Sequence, residues 1–454
     1  MKDHTAVLIG GLARSGTTAL VDVLNECADM AIMAEYRLVD LVRHLRPILA
    51  YEAVVEQLAS TFDPAVRGAG EPPLSLRVEK AVEAEPILHY PGFVTPGRQS
   101  TLRYPSVAKF PEIVASVIGA SLGKPSARFI GSKTPGAMLA DTDAALVQTF
   151  SDVRYVALLR SPLDQINSSM NRRNRTNLGC DFWGVETVEA AIAYYKSTLA
   201  GLIALKRLHG DRVLFLKYED LIGDSEAALR LVLSHIGVEW TPPPGMLVAD
   251  RGALKVLTDE ERLSVRRELG AIEDAWTDAD LSGVNPTGLA LFHDILPQLP
   301  EKLVTVSMGQ KPDFLIDGWS LPEAAGIWSD ASKAMLLFRP AHSGDRMLRL
   351  DVAPYVADEA PLGMQVTLNG KRLGRTMFCP GSGAISLSSE TNVIVVEVGK
   401  PITVWIGPFA LSEDAPNLFE FDFIGARSPA SIGESPDNRL LGVQLSGVQF
   451  IDVM

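Results

Sequence analysis

Residues 5–24, TAVLIGGLARSGTTALVDVL, constrain the fold of this chain more than any other stretch. An unbroken apolar run from Ala6 to Ile9 ends in Gly10 and Gly11. Leu20, Val23 and Leu24 then repeat at helical spacing, which predicts a helix over 17–26. Apolar residues without alternation mark a strand buried on both faces. A strand that passes through a glycine turn straight into a helix belongs to a parallel sheet layered with helices.

The first 240 residues keep that rhythm. MAIMAE, ARFIGSK, VRYVALLR and RVLFLKYEDL read as further strands. Between them, 36–61 carries Leu38, Leu41, Val42 and Leu45 at helical spacing, and PLDQINSSMNRR, 185–208 and SEAALRLVLSHI read as helices, the last closed by Gly237. Residues 62–111 break the pattern with recurrent Pro and Gly and read as a long irregular loop carrying Arg98, Arg103 and Lys109. The expected fold class is α/β, a P-loop-like parallel sheet with helices on both faces, plus a second unit of another kind.

That second unit begins near residue 300. MLRLDV, MQVTLNGKRLG, NVIVVEVG, LFEFDFIG and LLGVQLSGVQFIDV alternate apolar and polar residues, and Asn369-Gly370 is a hairpin signal. A C-terminal β-sandwich is expected over 316–454, joined by a linker at 301–315 to an α/β domain over 1–300.

Composition excludes some partners. The formal net charge is −13, which disfavours a bulk nucleic-acid binder but leaves room for a small anion held by local cations. No window approaches the roughly 20 apolar residues of a membrane span. Cys27, Cys180 and Cys379 are too scattered for a zinc site or a disulfide framework, which favours a reducing compartment and a cytoplasmic location. No metal-ligand cluster is visible, so no metal is required.

The turn at 11–18 carries chemistry. Gly11, four residues, Gly16 and two hydroxyl residues have nearly the spacing of a phosphate-binding P-loop. Backbone N–H groups at a helix start attract an anion, Gly16 allows close approach, and Ser15, Thr17 and Thr18 supply hydroxyls. Thr17, however, stands where an NTP-binding loop needs Lys, and the cation is moved forward to Arg14. That disfavours phosphoryl transfer from a nucleoside triphosphate. A degenerate kinase-like NTPase remains the rival from another class.

YVALLRSPLDQINSSMNRR forms a second anion constellation. A strand ends at Arg160, Ser161 and Pro162 begin a helix, and Ser168 and Arg172 share one helix face. Arg160, Ser168 and Arg172 can meet on one dianion through charge-assisted hydrogen bonds. A merely solvated basic helix end is the alternative.

ARSGTT resembles the 5′-phosphosulfate loop of sulfotransferases, in the form found in tyrosylprotein sulfotransferases and many bacterial relatives. Arg160 and Ser168 match the spacing of the Arg and Ser with which that family binds the donor's 3′-phosphate. The segment VLFLKYEDLIGDSEAALRLVLSHIGVEW resembles the family as well, with Tyr218 a candidate nucleotide contact and Glu219 and Asp220 capping or structural residues. The resemblance covers about residues 5–240. It implies 3′-phosphoadenosine 5′-phosphosulfate (PAPS) as donor and a hydroxyl as acceptor. Arg14, Ser15, Gly16, Thr17, Thr18, Arg160, Ser168, Arg172 and Tyr218 would bind the donor. Lys133, in GSKTP, partly matches a family lysine that stabilises charge on the sulfuryl group, the alternative being a surface turn lysine.

Sulfuryl transfer to a hydroxyl needs in-line approach and a base. None of the seven histidines stands in a family motif, His89 being the best placed of them. Glu35 follows the second strand and should emerge at the ligand-binding edge of the sheet. Glu35 to Arg37 resembles the Glu-x-Arg element of tyrosylprotein sulfotransferases, which makes Glu35 the implied base; a surface Glu at a strand end is the alternative. Finally, DGWSLPEAAGIWSD and SPASIGESPDNRLLGVQLSGVQF resemble β-rich segments of bacterial polysaccharide glycosyltransferases. They suggest a glycan acceptor, with tyrosine, lipid, a small metabolite or a non-catalytic glycan-binding role as alternatives. Trp319, Trp328 and Trp405 are read as core residues before sugar platforms, and Asp437 with Arg439 as an ion pair.

Overall fold

The computed structural model describes residues 4–34, 38, 42, 110–135, 146, 149–175, 185–240, 256–281, 291–292, 295–298, 302–306, 311–340, 343–356, 360–379, 383–387, 393–397, 401–412, 415–437 and 439–453. Strands β1 (Thr5–Gly11), β2 (Met30–Ala34), β3 (Phe129–Lys133), β4 (Asp152–Leu159) and β5 (Val213–Lys217) form a parallel sheet in the order β2-β3-β1-β4-β5. All five appear in the sequence as apolar runs because both sheet faces are covered. Ala6 and Leu8 point into one hydrophobic cluster and Val7 and Ile9 into another, as the two-residue period of a strand requires.

Seven helices surround this sheet among the described residues: α1 (Thr17–Leu24), α2 (Phe110–Ser121), α3 (Pro162–Arg175), α4 (Val188–His209), α5 (Tyr218–Gly223), α6 (Ser225–Ile236) and α7 (Asp259–Ala275). Residues from α1 and α6 fill one face, and residues from α2, α4 and α7 fill the other. Gly237 closes α6 at φ 90°, as its position in the sequence suggested. α7 opens with a complete capping box between Thr258 and Glu261.

Three local expectations are corrected. The run RVLFLKYEDL is not one strand: pairing stops at Lys217, and Tyr218 begins α5. α1 ends two residues before its expected limit, at Leu24, with Asn25 as its cap. Residues 188–212 are, among the described residues, long and apolar enough to cross a membrane, an 18-residue window within them having a mean hydropathy of 1.2. The fold uses that length as a core helix, with Leu199, Leu202, Ile203 and Leu205 buried between sheet and surroundings.

Beyond residue 300 the chain forms two antiparallel sheets. One runs β14 (Val393–Glu397), β15 (Ile402–Leu411), β10 (Gly344–Pro354), β17 (Val443–Asp452) and β6 (Val304–Thr305), with β8 (Ile327–Trp328) also on β17. The other runs β13 (Gly383–Leu387), β12 (Lys371–Cys379), β11 (Leu362–Leu368), β16 (Asn417–Ile424), β9 (Lys333–Phe338) and β7 (Leu315–Asp317). Their facing residues share one core, with the Phe338 and Phe450 rings 4.6 Å apart across it. Asn369 and Gly370 form the expected hairpin turn between β11 and β12, at φ 50° and 80°. β6 falls inside the stretch expected as a linker and pairs with β17.

The two parts are packed together. Met335, Leu337 and Leu418, on the outward side of the second sheet, belong to the same hydrophobic cluster as Leu202 and Leu205 of α4. Arg207 of α4 donates to the Pro416 carbonyl, from Nε at 3.0 Å and from its terminal nitrogen as well.

Candidate functional site

The chain leaves β1 for β2 on one side of the sheet and later crosses to β4 on the other. A crevice opens at the carboxyl edge of β1 wherever neighbouring connections part in this way. The glycines there are set by packing. A Cβ on Gly11 would lie 2.1 Å from the Leu158 carbonyl oxygen, because Leu12 N–H bonds that same carbonyl at 2.9 Å. Gly16 has φ 82°, and a Cβ there would lie 2.7 Å from the Tyr218 ring.

The loop therefore delivers α1 with an uncovered start. Gly16 is its N-cap, no side chain caps it, and no acidic residue stands in its first turn. These are the conditions for an anion at a helix N-terminus. Thr17 is 4% exposed, so it lies inside the loop rather than reaching toward outer phosphates as a P-loop lysine does. Ser15 is fully buried, and its Oγ has no hydrogen-bond partner among the described residues. A buried hydroxyl of this kind fits a ligand oxygen. Arg14 is exposed and has φ 69°, a left-handed conformation that costs a non-glycine residue about 1–2 kcal/mol.

Lys133 ends β3, between the ends of β1 and β2, as its pairing with Ile9 and Ala34 requires. It is 1% exposed, which rules out a surface turn lysine. Its Nζ donates to Thr18 Oγ1 at 3.0 Å, so the ammonium sits against the first turn of α1. Ala34 is the last residue of β2; Glu35 and Arg37 lie outside the described residues, as does His89.

Arg160 follows β4, the strand hydrogen-bonded to β1. Its side chain is 13% exposed. The guanidinium lies over the Tyr218 ring, 4.5 Å from the centroid, and donates from Nη1 to the Arg14 carbonyl at 3.2 Å. Asp164 is 4.0 Å away, and the buried Nε has no hydrogen-bond partner among the described residues. The two anion constellations of the sequence thus meet through Arg160, Arg14 and Tyr218. Ser168 stands half-buried on α3, two turns from its start; the Arg172 backbone lies on the same helix and its side chain outside the described residues.

The start of α3 is filled by protein. Ser161 N–H donates to Glu219 Oε1 at 3.1 Å, and Leu163 N–H to Glu273 Oε2 at 3.0 Å. The other Glu219 oxygen accepts from Trp276 Nε1 at 3.1 Å, which makes Glu219 the capping residue anticipated. Burial pushes the Glu273 carboxyl above its usual range. The N–H groups of Ser161 and Leu163 are therefore already satisfied by carboxylates and are not open to an anion.

Several residues around the loop were not singled out in the sequence. Tyr195 Oη donates to the Arg160 carbonyl at 3.1 Å, Tyr194 Oη accepts from Ala13 N–H at 3.2 Å, and Gln165 Nε2 donates to the Ala13 carbonyl at 3.1 Å. Gln165 had a usable signal, since it shares a helix face with Ser168 and Ser169. The tyrosines are two polar tips in an apolar helix, and burial pushes both phenols above their ordinary value. Among the described residues no cluster of His, Cys, Asp or Glu is arranged to hold a metal ion.

A family model for the sulfotransferase family matches residues 6–242. No curated protein matches the chain. Among solved structures the chain is similar to the sulfotransferase domain of an olefin synthase from Synechococcus PCC 7002, at 17% identity over 65% of this chain and 95% of that one, with a TM-score of 0.31. It is also similar to sulfotransferase STF9 from Mycobacterium avium, at 15% identity over 62% of this chain and 79% of that one, TM-score 0.32. A sulfotransferase from Alicyclobacillus acidocaldarius matches at 14% identity over 61% of this chain and 97% of that one, TM-score 0.33.

Proposed function

This chain belongs to the sulfotransferase family, and from that premise we propose that it moves a sulfuryl group from PAPS to a hydroxyl. The observation that carries the choice of donor is the contact between its two anion constellations. Arg160, stacked on Tyr218, touches the loop residue Arg14, so a single nucleotide with phosphoryl groups on both its 5′ and 3′ positions would span them. The buried, unpartnered Ser15 Oγ and Arg160 Nε fit such a ligand.

The donor supplies an activated sulfuryl group on its 5′ side. The chain's residues do the rest. The N–H groups of the loop and of the start of α1, with Ser15 and Thr18, orient the 5′ end. Arg160, Ser168 and Arg172 hold the 3′-phosphate, the feature that separates this donor from ATP or ADP. Arg14 and Lys133 face charge that develops during transfer, and such preorganised groups act most strongly where water is excluded. Glu35 takes the acceptor proton. What supports this role is its place in the sequence, directly after Ala34, the last residue of β2 and the neighbour of Lys133 across β2 and β3.

The domains are proposed as 1–300 for transfer, 301–315 as linker and 316–454 as a β-sandwich that positions a surface glycan or its precursor. The sequence segments that suggested a glycan are brought together by the fold: Arg439 bonds Glu323 at 3.0 Å, and Ser329 Oγ accepts from Gly442 and Val443 N–H, each at 3.0 Å. Trp319 is buried in the core, whereas Trp328 and Trp405 are half-buried and lie outside the shared core.

Titration calorimetry with adenosine 3′,5′-bisphosphate and with ADP tests the choice of donor. The bisphosphate is expected to bind tighter by at least about 30-fold, the effect of a 2 kcal/mol charge-assisted contact. Equal affinities would remove the basis for PAPS.

A further inference from the structure

Three hydrogen bonds converge on the kink of the loop. Ala13 N–H donates to Tyr194 Oη at 3.2 Å, the Ala13 carbonyl accepts from Gln165 Nε2 at 3.1 Å, and the Arg14 carbonyl accepts from Arg160 at 3.2 Å. The partners stand on α3, on the residue that leads into it, and on α4. None stands on α1, the helix that the loop itself starts. The two peptide groups flanking the left-handed residue, and the one before them, are thus fixed from outside the loop, the flanking two by the elements that carry the second anion constellation.

Gln165 makes this long reach at a cost to itself. It is fully buried, its Nε2 is shared with Ser169 Oγ at 3.1 Å, and its Oε1 has no hydrogen-bond partner among the described residues. An apolar side chain would pack α3 without that orphan acceptor. A left-handed Arg persists only where its surroundings over-determine it. Without these bonds residue 14 would relax toward ordinary helical or extended angles, and its guanidinium would swing with the backbone.

We infer that Gln165 and Tyr194 are positioning residues that hold the Ala13–Arg14 backbone in its left-handed kink, so that the Arg14 guanidinium is presented to the 5′ group of the donor. This rests on the donor assignment above. Their action passes through Arg14 and not through any contact of their own with the nucleotide. The Gln165 bond also ties the 5′ cradle to the helix that carries the 3′ cradle, so the spacing between them is set by side chains and not by the loop alone.

A double-mutant cycle separates positioning from simple structural support. Calorimetry would give the Kd of adenosine 3′,5′-bisphosphate for the full-length protein, Gln165→Leu, Tyr194→Phe, Arg14→Ala and the two combinations with Arg14→Ala. Each of Gln165→Leu and Tyr194→Phe is expected to weaken binding about 10-fold alone and less than about 2-fold in the Arg14→Ala background, because coupled groups are non-additive. Adenosine 3′-monophosphate, which has no 5′ group, should bind these two variants within about 2-fold of the parent, a difference too small to signal a lost contact. Equal losses with and without Arg14, or a matching loss for the 3′-monophosphate, would overturn the positioning role while leaving the donor assignment standing. Unchanged bisphosphate affinity in Arg14→Ala alone would instead overturn the donor assignment at this loop, and the inference with it. Tyr194→Phe removes a single oxygen, so the cycle remains available if Gln165→Leu does not fold.

Discussion

Replacing Arg160 with Ala should separate two isomeric nucleotides that differ in where one phosphoryl group is attached. The guanidinium is 13% exposed, stacked on Tyr218, and bonded to the Arg14 carbonyl. Its loss therefore removes two things. One is the grip on a ribose 3′-phosphate, and truncating one partner of a desolvated, hydrogen-bonded charge pair costs about 2–5 kcal/mol. The other is the bond to the loop, a contact to a neutral carbonyl from a charged donor, worth about 1.5–3 kcal/mol at most and shared by every ligand that uses the loop. ADP has a 5′ diphosphate and no 3′-phosphate, so it feels only the second loss. Adenosine 3′,5′-bisphosphate feels both. The ratio of the two losses isolates the 3′ contact and should be roughly 30- to 4,000-fold, at 1.4 kcal/mol per decade. Calorimetry at one fixed ionic strength measures it, since charge contacts of this kind weaken with salt. Arg160→Lys keeps the charge but loses the planar fork and its stacking, and should fall between parent and Ala. A ratio near one would refute the assignment of Arg160, whatever the absolute losses.

Three further outcomes are expected. Lys133→Met fills a site that is 1% exposed with an apolar chain of similar length, and kcat should drop about 10²–10³-fold as measured by release of bisphosphate product; turnover within a factor of two would remove Lys133 from the machinery. Glu35→Gln should abolish transfer while donor affinity, read by calorimetry, stays within about 3-fold, as expected of a proton acceptor that does not bind the nucleotide. His209 lies where α4 meets β9, its ring 4.9 Å from that of Tyr155, and burial with the nearby Arg212 and Lys333 lowers its pKa from 6.5 to about 4. The folded protein favours neutral His209, so that contribution is complete above pH 6.5 and is lost as pH falls from 6.5 toward 4, on the order of 3 kcal/mol in all. Thermal unfolding followed across that window should fall less steeply for His209→Phe; identical slopes would show that the ring does not titrate with folding.

How far the fold was legible depended on what each signal records. Parallel strands covered on both faces leave continuous apolar runs, so all five strands could be found without knowing their order. Asn369-Gly370 announced its hairpin because left-handed turns admit few residues. RVLFLKYEDL misled at its end because the apolar run does not mark where the sheet stops: Lys217 is the last residue paired with β4, and Tyr218 turns away to lie under Gly16. α7 carries its signal in its capping residues, Thr258 and Glu261, but it follows no strand of the sheet, so strand–helix alternation does not predict it.

The candidate site divides in the same way. Arg14, Gly16 and Arg160 stand at strand ends beside glycines or prolines, where sequence order and spatial order coincide. The contact between Arg160 and the Arg14 carbonyl bridges 146 residues and arises only because β1 and β4 pair. Gln165, Tyr194 and Tyr195 act through peptide groups of Ala13 and Arg160, which any sequence would provide, so only the helix face that Gln165 shares with Ser168 and Ser169 gives a hint of them. The burial of Lys133 followed from β3 lying between β1 and β2, an order that no local pattern states.

The central claim is that this protein transfers a sulfuryl group. Incubating it with PAPS labelled with radioactive sulfur, together with arrays of glycans, hydroxyl peptides, lipids and phenols, tests that most directly. Label should appear covalently on at least one hydroxyl-bearing acceptor, with glycans favoured, and should disappear from it in Glu35→Gln. Label that stays on the donor across the whole array, while the bisphosphate binds no better than ADP, would contradict the account.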